Sequence, residues 1–510
     1  KVIYVMTNTY KQESKNISRH LMIKRAIELL TLERTSSCCV RRTYVRDLYD
    51  FFIKQEESHE QEEVKKIDMS YIRAWENMHT VNIGSKQVHE LSVCYLSGPE
   101  PENDFAEFIS LGVLPQNIWA FESKQKTYLQ ALKSIDSRDF MQPKLIKTSI
   151  EKFFENTPKK FDIIYIDACS PLISDQHALR CISSMFRYQR LSSPGILISN
   201  FAEVDRSNTL LLNEYYDLIT KYLLVKEQPK ALLVNKQNNI QFTSSYKHQY
   251  DLVVNNFDQY YGDFITTMIC NSGSITTPAL RFVHSSYLHN LTNINPLSIQ
   301  SYDISDINTI KNNTFYQYIA LNKFMEEGIS FNMGKNRIDK LVSELSAGWT
   351  SYNMVACFQK LYNIRIKNKD IEASLKPTIE FFTDGTMYQF LDKPNELLFY
   401  DSVINQLSYP MHYCSDKIYR ASYTAKQTKM FTDLILFDEC RYIYDWLPAI
   451  HQMKNAFQNP SWQYIYRFAL DGLVKQRIEY NNEFFFQGSV IRKDTINFES
   501  KKISDRIIIH

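Results

Sequence analysis

Phe161-Asp-Ile-Ile-Tyr-Ile-Asp167 runs directly into Ala168-Cys-Ser-Pro-Leu172, an apolar run of strand length that ends on a carboxylate. Four runs of the same kind surround it. They are Leu91-Ser-Val-Cys-Tyr-Leu-Ser-Gly98, Asn117-Ile-Trp-Ala-Phe-Glu122, Lys144-Leu-Ile-Lys-Thr-Ser149 and Pro194-Gly-Ile-Leu-Ile-Ser-Asn200. Stretches of helical character separate the runs, and that alternation predicts an α/β fold, a Rossmann-like doubly wound and mostly parallel sheet with helices on both faces. Such sheets bind ligands beyond the carboxyl ends of their strands, so the informative residues are Gly98, Glu122, Ser149, Asp167 and Asn200.

Glu122 closes the second run shortly after the Gly98 turn, where a carboxylate can accept hydrogen bonds from both ribose hydroxyls of a nucleoside cofactor. Spacing alone leaves a dinucleotide site and an S-adenosylmethionine site open. Asp167-Ala-Cys-Ser-Pro171 after its apolar strand resembles the fourth motif of class I S-adenosylmethionine-dependent methyltransferases, and Ser193-Pro-Gly-Ile-Leu-Ile-Ser199 is similar to the strand that follows in that family. The resemblance covers residues 85 to 205. It implies S-adenosylmethionine as cofactor, with Ser97, Gly98, Glu100, Asn103, Asp104 and Glu122 around it and Ser149 and Ile150 beside the adenine. It also implies Asp167, Ser170 and Pro171 at the reaction centre, next to the transferred methyl.

One departure stands out. The family's first motif carries two or three glycines, whereas here Gly98 is followed by Pro99 and Pro101, which fix their own φ and remove two amide donors. Two readings follow for the acidic cluster Glu100, Glu102, Asn103 and Asp104: contact with the cofactor, or capping of the next helix with Glu107 in its first turn.

The chain has 510 residues, enough for two or three domains with full cores. A net charge of +2 excludes a broad basic polyelectrolyte surface but leaves room for a local basic groove. Nine scattered cysteines, none in a C-x-x-C pair, fit no closed disulfide framework and suggest a reducing, cytoplasmic setting. No apolar run reaches 18 residues, so no membrane association is expected, and no histidine has metal-ligand spacing, so no metal site is expected either.

Residues 14–34 read as an amphipathic helix with Ile17, Leu21, Ile23, Ala26, Ile27 and Leu30 on its apolar face. Residues 1–84 then form a helical extension covering one edge of the sheet, 85–290 the Rossmann domain, 291–335 a linker and 336–510 a C-terminal α+β domain. Asp263–Cys270 and Phe431–Phe437 read as strands, 336–361, 438–451 and 462–476 as helices, and 478–486 as a hairpin. His177 and Cys169 beside the fourth strand read as structural residues.

From Tyr409 to Lys429 aromatic and basic residues interleave, a pattern suited to stacking bases and holding phosphates. Tyr413, Arg420, Tyr423 and Lys426 are its candidate substrate-binding residues, with RNA or DNA as partner. Three functions are compatible with this reading. The first is methyl transfer to a nitrogen of a nucleic acid base or nucleotide, since Asp-x-x-Ser-Pro is loosely similar to the motif of tRNA guanosine N-methyltransferases. The second is a catalytically silent subunit among protein partners in a larger assembly, such as a bacterial antiviral defence complex. The third is aminopropyl transfer, as in spermidine synthases, although Ser170 stands where that family has aspartate.

Overall fold

The computed structural model describes residues 13–54, 59–136, 142–174, 178–227, 232–234, 240–242, 245–283, 322, 325, 373–383, 396–476 and 503–510. Among the described residues ten strands follow in chain order: β1 Val93–Leu96, β2 Ile118–Phe121, β3 Lys144–Ile146, β4 Phe161–Asp167, β5 Leu191–Ala202, β6 Leu232–Val234, β7 Ile240–Phe242, β8 His412–Ala425, β9 Thr428–Asp438 and β10 Ile507–Ile509. Eight of them form one sheet in the order β10-β8-β9-β5-β4-β1-β2-β3, and β6 and β7 pair separately. Strands β1 to β5 run parallel, as the apolar runs predict. Strand β9 is antiparallel to both β5 and β8, which makes β8 parallel to β5. The sheet is doubly wound at its parallel half, and its topological switch point lies between β1 and β4.

The period of two in each strand sorts the core into two layers. Val93 and Tyr95 of β1, with Ile163 and Tyr165 of β4, pack on one face, while Cys94, Ile164 and Ile166 pack on the other. Among the described residues, the helices up to residue 283 are α1 Glu13–Leu30, α2 Tyr44–Lys54, α3 His59–Val64, α4 Met69–Ile83, α5 Glu102–Ser110, α6 Gln125–Asp136, α7 Ile150–Asn156, α8 Ala178–Arg187, α9 Thr209–Glu227, α10 Ser245–Asn255, α11 Phe257–Asn271 and α12 Thr277–Val283. Ile23 of α1, Leu48 of α2, Trp75 of α4 and Phe108 of α5 fill the first layer together with Phe468 of the helix Pro460–Val474. Phe154 of α7, Ile182 of α8, Ile219 of α9 and Phe264 of α11 fill the second.

The structure corrects several expectations. The region expected as a separate C-terminal domain instead supplies β8, β9 and β10 to the main sheet, because the apolar inner faces of β8 and β9 continue both layers next to β5. The N-terminal helices cover a face of the sheet rather than an edge; the edge strands are β3 and β10. Asp263–Cys270 lies within α11 and is not a strand; from Tyr261 to Asn271 every residue but Asp263 is buried, so no polar stripe betrays a helical period there. After β9 the helix is only Arg441–Tyr444, whereas the helix Pro460–Val474 lies where 462–476 predicts one. The expected helix at 336–361, the hairpin at 478–486 and, apart from Asn322 and Met325, the linker lie outside the described residues. Among the described residues no helix is long and apolar enough to cross a membrane.

Packing between the second layer and the start of β8 is tight at Gly273, in the π-type turn Ser272–Thr276 between α11 and α12. A Cβ there would stand 2.8 Å from two ring atoms of Phe186 and 3.1 Å from the Met411 carbonyl oxygen, which itself accepts no slack because Met411 N donates back to Gly273 O at 3.0 Å. Gly273→Ala is therefore expected to destabilise the fold by about 1–3 kcal/mol through overpacking. Denaturant melts check this, and an unchanged midpoint contradicts it.

Candidate active site

The carboxyl ends of β4, β5 and β8 and the amino half of β9 bring a polar network together. The β4–β5 register sets Asp167 opposite Asn200, and the β5–β9 register sets Asn200 opposite Thr432. Asn200 is fully buried, and its Nδ2 donates to Asp167 Oδ1 and to the Tyr423 hydroxyl, each at 2.8 Å. Its Oδ1 accepts from Thr432 Oγ1 at 2.8 Å, so the amide orientation is fixed from both sides. Cys169 Sγ donates to Asp167 Oδ1 at 3.3 Å from a backbone at φ 51°, a left-handed conformation that costs a non-glycine residue about 1–2 kcal/mol. Partial burial and the Asp167 charge push that thiol up to about 12, although the residue reaches the surface.

A second partner reaches Asp167 from outside the sheet. Lys15 Nζ of α1 lies 2.8 Å from Asp167 Oδ2, and both side chains are about nine-tenths covered. One turn further along the same helix, Arg19 Nε lies 2.6 Å from Asp104 Oδ1 at the start of α5, also buried. Residues four apart share a helix face, so α1 lays two cations across two carboxylates at the strand ends. Burial on its own would raise the Asp167 carboxyl. The Lys15 charge, with hydrogen bonds from Lys15, Asn200 and Cys169, outweighs it and holds Asp167 below the usual carboxylate range. Lys15 is raised above the ordinary lysine value, because the Asp167 charge outweighs its own burial. Asp104 is shifted the other way: burial raises it, with Arg19 only partly opposing.

These shifts give α1 a pH signature. Asp167 contributes stability above the ordinary carboxylate range and loses it as pH falls through its own depressed value. Lys15 contributes below the ordinary lysine range and loses it as pH rises through its raised value. The stability difference between the wild type and Lys15→Ala is thus expected to be flat between about pH 5 and pH 9 and to shrink toward acid. A difference that grows as the pH falls contradicts the pairing.

The other expected residues are placed as follows. Gly98 adopts φ 58°, and nothing lies within 4 Å of the point where its Cβ would stand, so the backbone is open to close approach there. Ser97 Oγ donates to Gly98 O at 3.2 Å. Glu100 accepts from Asn103 at 3.0 Å, and Glu102 from Ser134 at 2.5 Å. Neither Asn103 nor Asp104 caps α5, whose N-cap is Pro101. Glu122 is half-buried at the end of β2 and accepts from Lys124 N at 2.7 Å. Ser149 caps α7, accepting from Lys152 N at 3.3 Å, and Ile150 is buried in the second layer. Ser170 is buried, and its carbonyl accepts from Ala202 N at 3.0 Å, which ties the turn to β5, and Pro171 follows half-buried. His177 lies outside the described residues.

The four residues nominated for substrate separate. Tyr423 belongs to the Asp167 network, and Lys426 is exposed in the β8–β9 turn above the same strand ends. Tyr413 is buried at the opposite end of β8. Arg420 is also buried, with Nη2 2.5 Å from Asp263 of α11 and Nη1 donating to Ser504 O at 2.7 Å. The interleaved stretch is therefore a sheet strand and a turn, not an exposed groove, because alternate residues of β8 enter the two core layers. Lys15, Arg19 and Thr432 escaped sequence reasoning, and Asn200 was named only as a strand end. The four-residue spacing of Lys15 and Arg19 on a helix was the one local signal. Of the expected apolar face, Ile23, Ala26, Ile27 and Leu30 are buried, whereas Ile17 and Leu21 are exposed and Arg19 is buried in their place.

No protein-family model matches the chain, and no curated protein matches its sequence. Solved structures do. A magnesium protoporphyrin IX methyltransferase from Synechocystis PCC 6803 with bound SAM is 15% identical, with 32% of this chain and 76% of that chain covered and a TM-score of 0.18. A S-adenosylmethionine-dependent methyltransferase from Clostridium acetobutylicum ATCC 824 is 16% identical over 34% and 57% of the two chains, TM-score 0.17. PKMT2 from Rickettsia typhi in complex with AdoHcy is 15% identical over 59% and 51%, TM-score 0.21. At such identities and scores the likenesses carry no argument about activity, which must come from the chain's own residues.

Proposed function

We propose that the chain is an S-adenosylmethionine-dependent methyltransferase acting on a nitrogen, with a nucleic acid base or nucleotide as the acceptor class. The observation that carries this reading is the Asp167 network, in which an amine, that of Lys15, already sits 2.8 Å from a carboxylate at the end of β4. An acceptor amine taking that place would donate a hydrogen to Asp167 Oδ2 and keep its lone pair directed away from the carboxylate. Asn200 holds the carboxylate in position and is itself fixed by Tyr423 and Thr432 through the 2.8 Å contacts described above. S-adenosylmethionine, when bound, supplies an electrophilic methyl group. The residues present fit that cofactor at two points: the open backbone at Gly98 and the half-buried carboxylate of Glu122. Asp104 does not serve it, being committed to Arg19. Exposed Lys426 in the turn above the site suits a phosphate of the acceptor.

Glu122→Gln removes the charge from the ribose contact and is expected to weaken cofactor binding by about 1.5–3 kcal/mol. Unchanged affinity in a folded variant removes Glu122 from the site.

A second reading, a catalytically silent subunit of a larger assembly, is favoured by the same Lys15 contact, because α1 occupies the carboxylate that an acceptor needs. Lys15→Ala separates the two. An active enzyme should take up acceptor more readily once the competing amine is gone, with turnover at limiting acceptor raised by about tenfold. A silent subunit shows no methyl transfer in either form.

A further inference from the structure

Far from the Asp167 network, two thiols and a carboxylate converge in the first core layer, with a third thiol beside them. Cys39 lies in the bend between α1 and α2, Cys414 on β8, Asp438 at the end of β9 and Cys440 two residues beyond. All four are buried, none more than 2% exposed. Cys39 Sγ stands 3.3 Å from Cys414 Sγ. One ligand atom each from Cys39, Asp438 and Cys440 falls within 4.8 Å of the others, and Cys414 stands outside that group, in contact with Cys39.

Apolar packing explains a buried cysteine, but not this gathering. A tetrahedral zinc ion with bonds of about 2.3 Å to sulfur holds its sulfurs about 3.7 Å apart, close to the separation seen, whereas a disulfide needs about 2 Å. The carboxylate is fixed in place by four donors, one of which a bound metal ion displaces. Asp438 Oδ1 accepts from Ser193 Oγ at 3.2 Å and Cys440 N at 2.9 Å, and Oδ2 from Tyr442 at 2.7 Å and Cys39 N at 3.0 Å. Cys440 sits at φ 49° and ψ 39°, a left-handed backbone that a cysteine adopts only at a cost. That strain falls on one of the converging thiols.

We propose that Cys39, Cys440 and Asp438 bind one Zn2+ ion, with the Cys414 side chain moving in from beside Cys39 as the fourth ligand, in a buried tetrahedral site that staples the N-terminal helices to β8 and β9. Binding forms three zinc–sulfur bonds and one zinc–oxygen bond, releases three thiol protons to solvent and involves no change of oxidation state. The staple joins positions 375 residues apart in sequence and anchors the end of α1 opposite to Lys15.

The test is metal analysis of the full chain, purified under reducing conditions, stripped with chelator and reloaded with Zn2+ alone or Co2+ alone. Expected are about one zinc per chain and, with Co2+, a thiolate-to-metal charge-transfer band, both reduced at least tenfold in Cys440→Ser and Cys414→Ser. Cys94→Ala, at a buried cysteine outside the cluster, should keep both. Zinc below about a tenth of an equivalent after loading, or retention unaltered in the serine variants, overturns the site. So does a Cys39–Cys414 disulfide in the intact mass of the reduced preparation. Should the serine variants fail to fold, the wild type decides: Co2+ without a charge-transfer band refutes thiolate ligation, and its appearance supports it.

Discussion

Asp167→Ala is expected to lower methyl transfer by about two orders of magnitude or more while leaving S-adenosylmethionine affinity nearly unchanged. Asp167 stands at the end of β4 with one oxygen held by Asn200 and the other directed at an amine. A methyl acceptor needs its nitrogen held about 3 Å from the methyl with the lone pair in line, and a fixed carboxylate supplies that alignment. Losing it affects the reacting geometry and not the cofactor's ribose or adenine. Single-turnover measurement separates the two, because a fall in affinity with normal turnover at saturation would place Asp167 on the cofactor. Wild-type turnover in the variant would make the carboxylate structural, there to hold Lys15 and α1.

Arg19→Ala carries the largest expected cost to stability, about 3–5 kcal/mol, because it leaves Asp104 buried without its ion-pair partner. Asp104 is only 5% exposed, and Arg19 Nε is 2.6 Å away. The paired replacement Arg19→Met with Asp104→Leu should recover most of the loss, since apolar side chains of similar volume fill the same space without a charge to compensate. Denaturant melts of the three proteins check this. A single variant as stable as the wild type would mean that water reaches Asp104 and that α1 is not firmly seated over α5.

The parallel half of the fold was legible because strands buried on both faces read as short apolar runs, and their ends are where the polar residues stand. Phe161–Asp167 and Ile118–Phe121 show this directly. The antiparallel half was harder. Strand β8 carries Arg420, which is buried only because Asp263 of α11 meets it, and no local pattern announces a partner 157 residues away. Helix α11 was misread for the opposite reason, since burial on all sides erased its period. At the site, Asp167 and Tyr423 were named from the sequence, but the residue joining them, Asn200, takes that role only through the register of β5 against β4 and β9. Lys15 and Arg19 looked like the polar face of a surface helix. Their carboxylate partners lie on β4 and α5, a pairing set by the docking of α1. The thiol cluster is likewise a product of tertiary structure, with Cys39, Cys414 and Cys440 showing no metal-site spacing along the chain.

Calorimetric titration with S-adenosylmethionine and with its demethylated product tests the central claim most directly, because it needs no knowledge of the acceptor. The account predicts saturable binding of both to about one site per chain, weakened in Glu122→Gln and retained in Asp167→Ala. Absence of binding to both the wild type and Lys15→Ala would contradict it and leave the strand ends as a methyltransferase-like scaffold without its cofactor.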